Sequence, residues 1–303
     1  MRFAIPAGVL TALSEKWPTA RLHVTNLGRN GSNVYLPPDM KLLSSPQLYS
    51  LSYTVYGAWV SPSHRVFVFR SEFSILKKCL SQATKLKCLR LRVDDGNVPE
   101  QTSWTAGPQN LDFQVGDIFP ALEELALPPR TYALTEMHCK QWLATMDWSH
   151  LRRLDLGHGS PQYLFTALTG RVPQLKALIF GFWPSSPSNS IWKCPDVEVL
   201  LRFLGSIDGL EEAAVKNYHA HEFDRIRDPF LNKHGRTLRK LHTSYSAADA
   251  RGLSWPDVQK LVQQCPDLHD LALKIAMTID AAADYRNTVW VGDSRLYFTV
   301  FCR

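Results

Sequence analysis

The densest group of side chains able to do chemistry is His219-Ala220-His221-Glu222-Phe223-Asp224. Two imidazoles two residues apart, beside carboxylates, supply the donor types of a zinc site. The spacing does not complete one: a metallo-hydrolase pattern needs its aspartate one residue earlier, where Phe223 stands, and a further histidine beyond it. The acids have a simpler use. Glu222 and Asp224 open a helix carrying Phe223 and Ile226, and carboxylates are favoured at the positive end of a helix. Gly157-His158-Gly159-Ser160-Pro161 is not a G-x-S-x-G nucleophile elbow, and Pro161 suits a first helical position instead. Gly28-Arg29-Asn30-Gly31-Ser32 lacks the Gly-Lys-Ser/Thr of a P-loop. His242 and His269 fall in strand patterns and read as surface or rim residues. The cysteines at 79, 88, 139, 194, 265 and 302 contain no C-x-x-C pair, so zinc-ribbon and thioredoxin chemistry are not expected. The residues point to no catalytic machinery, no cofactor and no metal site.

Charge and hydropathy narrow the remaining classes. The chain has 303 residues, 45% of them hydrophobic, enough for a full core. The net charge of +6 is spread among acids, whereas a nucleic-acid footprint is a dense basic stripe, so no nucleic-acid partner is expected. The apolar stretch from Phe3 to Leu13 is broken by Pro6 and Gly8 and reads as a surface helix, not a signal peptide. No run approaches the roughly 18 apolar residues of a membrane span. Scattered cysteines suit free thiols in a reducing compartment, so a cytoplasmic or nuclear location is expected.

The organisation is a repeat. The pattern leucine, two residues, apolar, one residue, apolar recurs as Leu48-Leu51-Tyr53, Leu86-Leu89-Leu91, Leu122-Leu125-Leu127 and Leu151-Leu154-Leu156. It continues as Leu175-Leu178-Phe180, Leu210-Ala213-Val215, Leu238-Leu241-Thr243 and Leu268-Leu271-Leu273, with a degenerate copy at Leu22-Val24. Proline stands just before several copies (Pro46, Pro120, Pro173, Pro266), where it ends a helix and lets the chain enter a strand. Apolar and polar residues then alternate, the period-two signature of a half-buried strand. Between strands, helical spacing appears in Phe73, Leu76, Leu80 and Ala83, less regularly in Met137, Leu143 and Met146, and again in Leu164, Ala167 and Leu168. Val197, Leu200, Leu201 and Leu204 follow, then Phe223, Ile226 and Phe230, interrupted by Pro229. Ser254 and Asp257 form a capping box before Val258, Leu261, Val262 and Cys265.

Strand then helix at this spacing implies an α/β fold: a leucine-rich-repeat horseshoe solenoid with parallel strands on the concave side and helices on the convex side. A doubly wound domain would want continuous Val/Ile strands and G-x-G-x-x-G, which is missing. The expected division is an N-terminal capping helix over 1–20, a solenoid of about eight irregular repeats over 21–283, and a C-terminal cap over 284–303, either a hairpin or an added strand. Loops at 97–116 and 184–195 are rich in Pro, Ser, Gly and Thr and long enough to project. Trp183 and Trp192 beside the second loop could anchor a partner or seal gaps between repeats, and packing is the more usual role.

The phrases Trp148-Ser149-His150-Leu151-Arg152-Arg153-Leu154-Asp155-Leu156-Gly157, Leu175-Lys176-Ala177-Leu178-Ile179-Phe180-Gly181-Phe182-Trp183 and His234-Gly235-Arg236-Thr237-Leu238-Arg239-Lys240-Leu241-His242 resemble the F-box/leucine-rich-repeat proteins expanded in filamentous fungi. The resemblance runs from about Leu10 to Met277 and covers the repeat region only. It implies that the repeats hold a protein substrate, while an F-box of some 45 residues would join Skp1 and a cullin ubiquitin ligase. No F-box is expected before Leu48, so Skp1/cullin binding is expected only if an F-box is encoded upstream. The alternative is a stand-alone repeat scaffold or inhibitor with no ligase link.

If the pattern leucines face the core, the residues two, four and six positions after each first leucine face the concave side. The expected protein-binding residues are Arg90, Arg92, Arg153, Asp155, Ile179, Lys216, Lys240 and His242. The middle of this face is small and apolar, as a desolvated interface centre is, though small residues also fit tightly curved strands. The register is tested at its core positions. Leu154→Asp or Leu178→Asp is expected to cost more than about 3 kcal/mol by burying an unpaired charge. A wild-type melting temperature in either variant would place these leucines at the surface.

Overall fold

The computed structural model describes residues 6–27, 39–56, 72–94, 110–127, 132–157, 162–181, 196–218, 220–245, 255–274 and 297–301. The chain forms two compact units, Met1–Leu151 and Arg152–Arg303. Both are α/β, with strands alternating with helices and neighbouring strands parallel except at the C-terminal strand.

Unit 1 contains α1 (Ala7–Lys16), β1 (Leu22–Leu27), α2 (Met40–Leu43), β2 (Leu48–Tyr56), α3 (Glu72–Leu80), β3 (Cys88–Asp94), β4 (Glu124–Ala126) and α4 (Glu136–Thr145). Its strands pair in chain order, β1 with β2, β2 with β3, β3 with β4, all parallel. Leu51, Leu89 and Leu125 stand opposite one another across the ladder, and all are buried. Asp39 caps α2 by accepting the Leu42 amide, and Thr135 caps α4 by accepting that of His138. Gln47 is buried and donates from Nε2 to the carbonyls of Leu13 (3.0 Å) and Trp17 (2.7 Å), satisfying the end of α1.

Unit 2 contains β5 (Arg153–Asp155), α5 (Gln162–Leu168), β6 (Ala177–Gly181), α6 (Val197–Gly205), β7 (Glu212–Tyr218), α7 (Ala220–His234), β8 (Lys240–Tyr245), α8 (Trp255–Gln264), β9 (Asp270–Lys274) and β10 (Tyr297–Phe301). Strands β5 to β9 pair in chain order and parallel. Strand β10 lies antiparallel on β9, Tyr297 opposite Lys274 and Phe301 opposite Asp270. Residues 284–296 lie outside the described set, so of the expected C-terminal cap only this antiparallel pairing of β10 is described.

Every residue of the eight leucine triplets is buried, from Leu48 to Leu273. The sequence register therefore holds. Two backbone devices repeat with the triplets. First, in most copies the amide of the leading leucine closes a tight turn onto the carbonyl three residues back: Leu48 on Ser45, Leu86 on Ala83, Leu151 on Trp148, Leu175 on Val172, Leu268 on Cys265. Second, the carbonyl after the leading leucine accepts two successive amides of the next strand. Arg152 accepts from Lys176 and Ala177, Lys176 from Glu211 and Glu212, Glu211 from Arg239 and Lys240, Arg239 from His269 and Asp270. Lys87 does the same for Glu123 and Glu124 in unit 1. The turn before β8 admits only glycine: a Cβ on Gly235 would lie 2.5 Å from the Gln264 carbonyl oxygen and 2.6 Å from that of Leu231.

Three elements depart from expectation. In α4 the inward residues are His138, Cys139, Trp142 and Thr145; of the three apolar residues expected inward, Met137 is exposed, Leu143 half-buried and Met146, just past the helix, buried. Helix α7 runs through Pro229, whose exposed ring sits on the solvent side, so the proline does not break it. Between β3 and β4 the described segment, Asn110–Phe119, is an ordered irregular chain that buries Leu111, Phe113 and Phe119. The Ser254 capping residue lies outside the described residues.

Two histidines belong to this packing. His234, fully buried at the end of α7, donates from Nε2 to the Leu204 carbonyl (3.1 Å) and accepts the Leu210 amide at Nδ1 (3.4 Å). Only the neutral Nε2–H tautomer satisfies both, since a proton on Nδ1 would face another N–H. His138 stacks on Phe113 and shares a hydrogen bond at Nε2 (3.1 Å) with the Tyr132 hydroxyl, which also accepts the Leu111 amide. Burial pushes both imidazoles down from the ordinary 6.5 to about 4. Acid therefore protonates the unfolded chain first. The stability these groups allow is complete above about pH 6.5 and is lost as pH falls toward 4, by up to about 3 kcal/mol each. His234→Gln keeps one donor and one acceptor without titrating, so its melting temperature is expected to fall less between pH 7 and 4.5 than that of the wild type. Identical slopes would show that His234 contributes nothing to acid sensitivity.

Candidate protein-binding face

In unit 1 the outward side of the sheet carries the rows Ser50–Cys88–Glu124, Ser52–Arg90–Ala126 and Thr54–Arg92. Arg90 Nη2 meets Glu124 Oε2 at 2.9 Å at the surface. Arg92 is exposed and lies beyond the last pairing of the shorter β4. The Cys88 thiol is pushed up to about 11, chiefly by partial burial and then by Glu124 and Glu123, so it is a poor nucleophile at neutral pH.

In unit 2 the first row is Arg153–Ala177–Glu212–Lys240–Asp270 and the second Asp155–Ile179–Ala214–His242–Ala272. A third holds Gly181, Lys216 and Ser244. Charges in the first row alternate in sign, and one pair joins within the row. Arg153 and Glu212 stand two strands apart, on either side of Ala177, and join through two bonds of 2.7 and 3.1 Å, a bidentate guanidinium–carboxylate bridge across β6. His242 Nε2 lies 3.0 Å from Asp270 Oδ1. Asp155 turns back to accept the Gly157 amide at 2.9 Å, and Gly157 takes the left-handed φ of 57° that this turn needs. Lys240 is exposed between Glu212 and Asp270, and Lys216 is half-buried beside Gly181 and Ser244.

The eight expected residues therefore take different standings. Arg90, Arg92, Lys240 and His242 are exposed, while Arg153, Asp155 and Lys216 are half-buried. Ile179 is corrected: it is only 6% exposed, and Ala177, Gly181 and Ala214 around it are buried too, so β6 is covered on both faces. Sequence alternation assigns a side chain to a side of the sheet but does not say whether that side is open at that point. The partners Glu124, Glu212 and Asp270 were missed as functional neighbours; the alternating sign two residues after successive leading leucines is the signal that marks them.

The other candidate groups resolve less. The side chains of His219, His221, Glu222 and Phe223, the loops at 97–109 and 184–195, Trp183, Trp192, and the motifs at 28–32 and 158–161 lie outside the described residues. Asp224 pairs with Arg227, which also meets Asp228 and reaches Asp257 at 2.9 Å, tying α7 to α8. Among the described residues no group of three His, Cys, Asp or Glu is placed to hold a metal ion, and no helix is long and apolar enough to cross a membrane. A braced turn was also missed. Val115 and Ile118 are among the most exposed apolar side chains, yet Asp117 accepts both Lys77 Nζ and the Gln114 amide at 2.7 Å, and Gly116 takes φ 90°.

The sequence matches no protein-family model and no curated protein. The site is therefore characterised by its own geometry. A double-mutant cycle with Arg153→Ala and Glu212→Ala is expected to give a coupling of about 0.5–1 kcal/mol, the upper range for a partly exposed pair. A coupling near zero would mean that the bridge adds nothing to the fold, leaving Arg153 available to a partner.

Proposed function

We propose that the chain is a leucine-rich-repeat horseshoe, its strands lining the concave side, that acts as a non-enzymatic protein-recognition module. In this reading it is similar to the substrate-recognition part of an F-box/leucine-rich-repeat ubiquitin-ligase receptor. The observation that carries it is the register. Side chains two, four and six positions after the leading leucines form aligned rows within each unit, with Arg90 and Arg92 exposed in unit 1 and Lys240 and His242 exposed in unit 2. Rows of this kind offer a broad surface of separately variable positions, which suits protein recognition better than small-molecule chemistry. The resemblance of the repeat phrases supports the substrate-holding role, and the ligase link follows from that resemblance alone.

The reading is tested with partners captured from the native source and then purified. Arg92→Glu and the pair Lys240→Glu, His242→Glu are expected to weaken binding at least about tenfold, with the effect fading as salt rises. Arg202→Glu on the exposed side of α6 is expected to leave it unchanged. The opposite pattern would move the site to the helical side. Co-purification of ligase components with the native protein, or their failure to appear, separates the receptor from a stand-alone scaffold.

A further inference from the structure

Unit 2 carries a line of charge that its own pairing leaves incomplete. The residues immediately before β5 to β9 are Arg152, Lys176, Glu211, Arg239 and His269. They stack in a line because the carbonyl of each accepts two amides of the next copy. All are exposed except Glu211, which is half-buried. The row ahead of them, from Arg153 to Asp270, is balanced, and the turns behind them carry Arg171, Asp208, Arg236 and Asp267, two of each sign. The line itself is not balanced, with three permanent cations to one acid. Arg152 and Lys176 stand at adjacent strands with the same sign, an unfavourable arrangement. Arg152 has no ion pair among the described residues. Glu211 lies between two cations, 3.7 Å from Lys176 Nζ through Oε1 and 3.7 Å from Arg239 Nη1 through Oε2. Both distances exceed a hydrogen bond, so the acid leaves the donors of both cations open. Lys176 Nζ has besides only a long bond of 3.4 Å to the Gly209 carbonyl.

We propose that this rim docks an acidic segment of a protein partner, with one carboxylate between Arg152 and Lys176, the next at Arg239 and Lys240, and none opposite Glu211. The proposal rests on the recognition-module reading and names the chemistry of the segment recognised. The spacing follows from the sheet. Lys176 and Arg239 precede β6 and β8, two strand spacings or about 9.5 Å apart. Three residues of a polyproline-II chain span about 9.3 Å and bring the side chain back to the same face. A segment with an acid at every third position therefore meets both cationic groups and passes Glu211 with an uncharged residue. A continuous polyanion, whether a run of acids or a phosphodiester backbone, sets like charge against Glu211 and Glu212. The acid in the middle of the line thus selects for interrupted charge, and the cations on either side supply the attraction.

Fluorescence polarisation of the full chain with two labelled peptides of equal charge and composition tests this. One carries glutamate at every third position among prolines, the other the same glutamates in a single run. The spaced peptide is expected to bind in the tens of micromolar at low salt, at least about fivefold tighter than the clustered one. Arg152→Glu with Lys176→Glu, and separately Arg239→Glu, are expected to weaken it at least about tenfold at an unchanged melting temperature. Glu211→Gln is expected to tighten the clustered peptide and bring the preference below about twofold, whereas a merely basic surface would prefer neither peptide. Equal affinities for the wild type, no binding up to about 1 mM, or indifference to the charge reversals overturns the proposal. Tighter binding of a single-stranded oligothymidylate overturns it as well and makes the rim a phosphate contact. If both peptides fail while a captured partner still depends on Lys240 and His242, the recognition reading stands and this proposal alone falls. Should a charge reversal misfold, Arg239→Gln, expected to weaken the spaced peptide about threefold, decides in its place.

Discussion

No strand of this protein can bury its own leucines. Each triplet presents three buried side chains, all apolar but Thr243, to one side of a parallel sheet, and only the neighbouring repeat and the intervening helix can cover them. Everything else in either unit follows from holding adjacent repeats at one fixed offset. The shared carbonyl after each leading leucine sets that offset along the strands, and the tight turn three residues earlier sets it between helix and strand. Where the sequence alters the turn, the adjustment is local. Before β8 the chain carries His234 and Gly235: the glycine admits the Gln264 carbonyl, and the histidine supplies the hydrogen bonds that the preceding turn lacks.

The same constraint governs the polar side. In-register parallel strands stack equivalent positions in rows, so like charges in one row would repel at close range. The row from Arg153 to Asp270 avoids this by alternating sign around Ala177, and the small residue lets Arg153 reach Glu212 across a whole strand. One consequence is that three of the seven ionisable residues expected to greet a partner, Arg90, Arg153 and His242, already lie against the acids Glu124, Glu212 and Asp270. Any partner docking here exchanges existing pairs for new ones, a source of selectivity more than of raw affinity.

Unit 1 holds its outer layer differently. Phe113, Phe119, Tyr132, His138, Trp142 and Trp148 interlock with ring centroids 5.2–5.8 Å apart. Such a cluster fixes the irregular segment from Asn110 to Phe119 as firmly as a helix would be fixed, which is why the turn bearing Val115 and Ile118 is ordered although its tip buries nothing. Aromatic side chains have no simple periodicity in sequence, so this part of the core was not legible in advance, and the inward His138 and Trp142 of α4 went unassigned for the same reason.

Period-two alternation and the recurring leading leucine determined, without any structure, the strand positions, the parallel α/β organisation and the leucine part of the core. They did so because each is a local property of a repeat whose backbone geometry is nearly the same every time. The sequence also determined which side chains lie opposite the helices. It did not determine which of those are open to solvent, which arginine is already bridged, or how β10 meets β9 antiparallel. Those depend on contacts between residues as far apart as Arg153 and Glu212, or Lys274 and Tyr297, and on what covers Ile179. Periodicity carries no information about such contacts, because each is made by side chains and backbones that meet only once the repeats have stacked.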